Sequence, residues 1–275
     1  MLRILTLAGS LAFGAVLALP GQHSGRLVKV YGDLATADRV AIVVPGADTT
    51  VATFEASTKR PGGAARALLA EAAKVGHGER LAVIAWLGYD APPTWSLGAI
   101  TDTAAVEGAK ALRRTVMELH ARTSAPIALL CHSYGSVVCA KAGTDLPVAD
   151  MALFGSPGIG APSDGAPSDG APSDHHLSDA SYRPPSNHRV SGPTPSVTRV
   201  WAGVGGSDWI RFVPKVKLGP LGFGADALSP GYGARVFEVG PGGHSDYFTP
   251  GTPSLRNLTL IALGRPGDVT AAAPA

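Results

Sequence analysis

The stretch from Pro126 to Ser136 restricts what this 275-residue chain can fold into more than any other part of it. An apolar run, Ile127 to Cys131, passes directly into His132-Ser133-Tyr134-Gly135-Ser136 and then into residues with helical spacing. A strand that enters a helix through small-x-Ser-x-Gly must bend sharply, because strand and helix nearly touch on either side of the serine. The bend strains the serine backbone and places its hydroxyl at the carboxyl end of a strand, clear of both elements and able to attack a carbonyl carbon. Two positions before the serine stands Cys131 rather than glycine; cysteine is small enough to fit, and Gly135 keeps the tighter position.

Such a turn needs a sheet to carry it. β-Branched and apolar runs at residues 27–31, 40–44, 81–86, 127–130, 151–154, 198–204 and 234–239 read as strands. Helical spacing covers 66–74, 103–122, 135–142 and 252–263, with Thr101 or Asp102 available to cap the second helix and Thr252-Pro253 opening the last. This alternation predicts a single α/β domain over residues 27–264, with a mostly parallel central sheet and helices on both faces. The length suits one large domain better than two small ones.

The flanking segments have a different character. Met1-Leu2-Arg3, an apolar run to Leu19 and then Pro20-Gly21 read residues 1–21 as a secretory signal peptide or, if retained, an N-terminal anchor. The protein is therefore expected to be secreted or associated with the cell envelope, with the membrane as a partner through that segment. Residues 160–174 repeat Gly-Ala-Pro-Ser-Asp three times, and a polar, Pro-rich stretch continues to about 196. This insertion at 160–196 is expected to be disordered or to form a cap-like excursion over the site. His175, His176 and His188 lie inside it with nothing to fix them in space, so no metal is expected. Residues 265–275 read as a disordered tail.

A net charge of +2 with only 16% charged residues leaves no basic stripe, which argues against nucleic acid as a partner. Export would permit a disulfide between Cys131 and Cys139. The reading taken is two buried thiols, since the spacing across the turn is dictated by the elbow and free cysteine commonly packs as a small core residue.

A serine hydroxyl attacks at neutral pH only when a histidine takes its proton and a carboxylate orients that histidine. On a parallel sheet the partners follow the serine in the order acid then histidine, in loops at the carboxyl ends of later strands. Asp208 follows the 198–204 run and His244 follows the 234–239 run, so Ser133, Asp208 and His244 are the candidate triad. Asp246 is the nearest rival acid, too close in sequence to orient the ring, and Asp226 is a weaker one. His77, His120 and His132 read as surface or local elbow residues. The backbone N–H groups of Tyr134 and, from the loop after residues 40–44, Ala47 are candidates to hold the developing oxyanion. Trp86 and Tyr89 follow a strand at the same end and either wall the acyl pocket or pack in the core.

Several segments together resemble a bacterial α/β-hydrolase group abundant in actinobacteria: Val44-Pro-Gly46, residues 85–92, His132-Ser-Tyr-Gly-Ser136, Gly155-Ser-Pro-Gly158, Asp208-Trp-Ile210, residues 243–248 and Ser254-Leu-Arg-Asn257. That group normally has glycine where Cys131 stands, and the Gly-Ala-Pro-Ser-Asp repeats are peculiar to this chain. The resemblance implies the α/β-hydrolase fold and a Ser-Asp-His triad, and no substrate. The expected activity is hydrolysis of a small-molecule or lipid ester through an acyl-enzyme, with no cofactor. The alternatives are a non-catalytic binding protein on the same scaffold, or a peptidase, thioesterase or acyltransferase using the same three residues.

Overall fold

The computed structural model of the chain describes residues 25–159, 198–218 and 221–273. The segment 1–21, expected from the sequence to be a signal or anchor, and the expected insertion at 160–196, with its three histidines, lie outside the described residues. The first strand is β1 (Leu27–Tyr31), followed by β2 (Arg39–Val44), α1 (Pro61–Val75), β3 (Leu81–Leu87), α2 (Thr103–His120), β4 (Ile127–His132), α3 (Tyr134–Ala142) and β5 (Asp150–Phe154). Then come β6 (Arg199–Gly203), a two-stranded antiparallel pair β7 (Lys217–Leu218) and β8 (Leu221–Gly222), β9 (Arg235–Val236) and α4 (Pro253–Ala262).

Seven strands form one sheet in the order β1-β3-β2-β4-β5-β6-β9, parallel throughout except for β1, which runs antiparallel to β3. β3 and β5 are buried along their whole length, as expected of parallel strands covered on both faces. One core packs α2 and α3, through Leu112, Val116 and Val137, against Ile42, Ile84 and Leu129. The other packs α1 and α4, through Leu68, Leu258 and Ile261, against Val43, Val83 and Leu130.

The strand order places the site. From β2 the chain crosses by α1 to β3 on one side, then by α2 back past β2 to β4 on the other. β2 and β4 are thus neighbours whose following connections diverge, and a crevice opens beyond their carboxyl ends. The loop containing Ala47 and the turn containing Ser133 both lie at that crevice.

Two sequence readings are corrected at the edges of the domain. α1 begins at Pro61, five residues before the expected start at 66, because the proline serves as a first-turn residue rather than a breaker. Residues 265–273 are not a disordered tail. They lie along β9, with Glu238 N–H donating to Thr270 O at 2.9 Å and Ala272 N–H to Val236 O at 3.0 Å. Asn257 in α4 fixes the return, its Oδ1 accepting from Thr270 N–H at 3.0 Å. β9 is an edge strand, and a returning segment of chain satisfies backbone groups that an edge would otherwise expose.

Between β2 and α1, the Glu55 carboxylate accepts hydrogen bonds from Lys29 Nζ at 2.9 Å, from Tyr31 Oη and from Arg66. Burial would raise its pKa, yet the three donors outweigh burial and hold it down at about 2. A carboxyl lowered by folding contributes stability above its unfolded pKa of about 4, and that contribution is lost as the pH falls toward 2. The melting temperature is therefore expected to fall more steeply between pH 5 and pH 3 in the wild type than in Glu55→Gln. The difference is modest because the side chain is 41% exposed, and calorimetric curves that run parallel would contradict it.

Candidate active site

Ser133 has φ 51° and ψ −126°, the strained conformation the sequence implies, and its residue is 8% exposed. Two glycines make the turn possible. A Cβ on Gly46 would lie 2.6 Å from Ser133 Cβ, and one on Gly135 would lie 2.5 Å from the carbonyl oxygens of Val44 and Pro45. Backbone bonds from Ser133 N–H to Phe154 O and from Ser136 N–H to Ser133 O, each 2.9 Å, fix the turn between β5 and α3.

The three triad candidates meet. His244 Nε2 is 2.8 Å from Ser133 Oγ, and His244 Nδ1 is 2.9 Å and 3.1 Å from the two Asp208 carboxylate oxygens. Asp208 is fully buried and takes two further donors, the Ile210 N–H at 2.9 Å and the Tyr247 hydroxyl at 2.5 Å. Burial opposes its ionisation, but the bonds from His244, Tyr247 and Ile210 prevail and hold the carboxyl below its ordinary pKa. Burial, reinforced by Asp208, raises the Tyr247 hydroxyl far above the phenol range, so it remains a donor. Asp246 is turned away, accepting from Gly243 N–H at 3.0 Å and facing Lys59 at 3.4 Å. Asp226 accepts from Leu228 N–H and lines a different hollow.

Ala47, Tyr134, Ser133 and His244 line one cavity. As the first residue of α3, Tyr134 has a backbone N–H with no acceptor inside the helix. The loop bearing Ala47 is held by Asp48, whose φ of 57° is left-handed. Asp48 Oδ1 accepts from Thr94 N–H at 2.9 Å, its N–H donates to Pro92 O at 3.1 Å, and its carbonyl takes Arg60 at 2.7 Å. Beneath it, the Tyr89 hydroxyl donates to Pro45 O at 2.7 Å.

Trp86 and Tyr89 do not wall this cavity; both are 1% exposed and belong to the core. Trp86 points from β3 toward α2 and donates to Thr115 Oγ1 at 3.1 Å, while Tyr89 lies between Trp86 and Tyr134 with ring centroids 6.0 and 6.2 Å away. The wall comes instead from Trp95, Trp209 and Phe223, on segments with no long strand or helix.

Cys131 and Cys139 form a disulfide, contrary to the reading as two thiols. The sharp turn folds the first turns of α3 back beside the end of β4 and brings the two Cα atoms to 6.4 Å, inside the range a disulfide spans. Of the two readings open for His132, surface or local elbow residue, the structure takes the second: it ends β4 directly before Ser133 and is half-buried. Its ring packs against Phe154 and Tyr247, and Nε2 lies 2.7 Å from the His244 carbonyl. Burial and the neighbouring His244 push its pKa down to about 3, so the ring is neutral, and since a carbonyl only accepts, Nε2 carries the proton. Tyr247, Asp48 and His132 were missed as supporting residues, although Tyr247 lies three residues from the predicted histidine.

A doubly wound sheet, a serine in a strained strand-to-helix turn and a histidine reaching it from a later loop define the α/β-hydrolase class. The chain belongs to the alpha/beta hydrolase family, whose model matches residues 20–169. An uncharacterized protein of Mycobacterium bovis is 35% identical over 134 residues, 46% of this chain and 50% of the relative. An uncharacterized protein of Mycobacterium tuberculosis is 27% identical over 277 residues, 90% of this chain and 38% of that protein. The chain thus spans half or less of the length of these curated relatives. Among solved structures, a Staphylococcus aureus candidate esterase has the same fold, with a TM-score of 0.52 at 15% identity over 95% of this chain and 86% of that one.

Proposed function

We propose that this chain is an exported serine hydrolase that cleaves carboxylic esters through an acyl-enzyme. The observation that carries the reading is the unbroken relay from Ser133 Oγ to His244 Nε2 at 2.8 Å and from His244 Nδ1 to Asp208 at 2.9 Å. In this reading His244 takes the serine proton as Ser133 attacks the ester carbonyl, and Asp208 stabilises the imidazolium without itself becoming protonated. The N–H groups of Tyr134 and Ala47 receive the oxyanion, the first aided by the positive end of α3. His244 then returns the proton to the leaving alcohol, and a water attacks the acyl-serine by the same route in reverse. Tyr247 and His132 act as positioning residues, one on the Asp208 carboxylate and the other on the His244 backbone. The Cys131–Cys139 disulfide supports export, since such bonds persist mainly in oxidising compartments.

The test is labelling with a fluorophosphonate, which reacts only with an activated serine. Stoichiometric modification of Ser133, located by peptide mass spectrometry and prevented by prior denaturation, is the expected result. Absence of label on Ser133 under conditions that label a known serine esterase would overturn the reading.

A further inference from the structure

The cavity at Ser133 has a volume of about 240 Å³ and an almost wholly apolar wall. Trp95 and Ile100 come from the segment after β3, and Trp209, Val213 and Phe223 from the segment after β6. Lys217 reaches Asp102 at 3.1 Å and ties the two segments together, while Phe223 packs edge-on against Tyr134 at 5.7 Å between ring centroids. A ligand bound there would meet the polar reacting groups Ser133 and His244 at one end and hydrocarbon around the rest.

The outer surface of the same two segments is unusual. Among the described residues, eight of the eleven exposed large apolar side chains lie between residues 95 and 100 or between 209 and 221. Trp95 is 96% exposed, Phe212 86%, Leu97 76% and Leu218 73%. Isolated apolar residues on a surface need no explanation, but a concentration around the mouth of one cavity marks a surface that meets something apolar. Tryptophan is suited to the boundary between water and lipid, having an apolar body and one polar N–H.

We propose that the acyl group this site takes is a fatty acyl chain, lodged in the Trp95–Trp209–Phe223 cavity and drawn from a lipid–water interface against which the apolar rim rests. The proposal builds on the serine-hydrolase reading above. Its chemistry is ester hydrolysis: Ser133 Oγ bonds to the fatty acyl carbon as the bond to the alcohol oxygen breaks. The alcohol leaves with the proton carried by His244, and water then releases the fatty acid. The cavity contributes by burying methylenes that water would otherwise surround, a gain that grows with chain length until the cavity is full.

Two measurements on the full chain test it. On dissolved p-nitrophenyl esters, kcat/KM is expected to rise at least about tenfold from acetate to octanoate, and Val213→Trp, which narrows the cavity, is expected to abolish that preference while acetate is still cleaved. On emulsified tributyrin, the variant Leu97→Ser/Phe212→Ser/Leu218→Ser is expected to lose about fivefold or more in rate while its cleavage of dissolved p-nitrophenyl acetate matches wild type. None of those three residues lines the cavity. If Ser133 takes the fluorophosphonate and acetate is cleaved, but octanoate is no better or the rim variant is unimpaired on the emulsion, this inference fails and the hydrolase reading stands. If Ser133 takes no label and no ester is cleaved, both fail together.

Discussion

Ser133→Ala is expected to lower kcat for p-nitrophenyl acetate by about 10⁶-fold, and His244→Ala by a similar factor, with the double variant no worse than either alone. The expectation follows from the way the three groups act as a unit. Without the hydroxyl at 2.8 Å, His244 has no proton to take; without His244, the hydroxyl has no base within reach. Folding should be nearly untouched, since the turn is fixed by backbone bonds and by the glycines beside it. Ser133→Gly extends the same experiment. A non-glycine residue at φ 51° is strained by about 1 kcal/mol or more, and glycine relieves that strain. Ser133→Gly should therefore be as inactive as Ser133→Ala yet melt about 2–4 °C higher. Steady-state kinetics and calorimetry on the two variants measure both effects. Additive losses in the double variant, or an active Ser133→Ala, would remove the serine from the chemistry.

The sequence displays the elements that repeat a local rule and hides those that depend on distant partners. β2 to β5 and the elbow were legible because buried parallel strands are continuous apolar runs, and because a strand-to-helix turn this tight tolerates few residues. Asp208 and His244 could be found from Ser133 by their place after later strands, without any local mark of their own. Trp86 and Tyr89 could not be assigned, because an aromatic side chain near a strand end packs equally well inward or outward. Only the position of α2 decides that both face the core. The cavity wall was invisible for the opposite reason: Trp95, Trp209 and Phe223 sit in segments whose only regular structure is single helical turns and two-residue strands, which leave no periodicity to read. Residues 265–273 looked like a tail because their backbone partners, Val236, Glu238 and Asn257, are remote in sequence or on another element.

Removing the disulfide by the paired change Cys131→Ala/Cys139→Ala is expected to lower the melting temperature by about 5–10 °C. The bridge closes a loop with a sequence separation of 8, and the loss of chain entropy it imposes on the unfolded state corresponds to about 2.5 kcal/mol. Activity on p-nitrophenyl acetate at 25 °C should stay within a few-fold of wild type. Ser133 lies inside the loop, but its conformation is also fixed by the bond to Phe154 O and by the close approach of Gly46 and Gly135, which do not need the sulfurs. Both cysteines are fully buried, so a reductant should reach the bond only when the chain opens. Incubation with dithiothreitol well below the melting temperature should leave it intact, and reductant present during the melt should reproduce the double variant. Cys131→Gly with Cys139→Ala removes the bridge and puts glycine two positions before Ser133. It should be less stable than the alanine pair by about 0.5–1 kcal/mol, since glycine within β4 carries more chain entropy to lose and relieves no positive φ at 131. Calorimetry of the two double variants separates the bridge from packing. Unchanged melting temperatures in both would mean that β4 and α3 are held together by their packing alone.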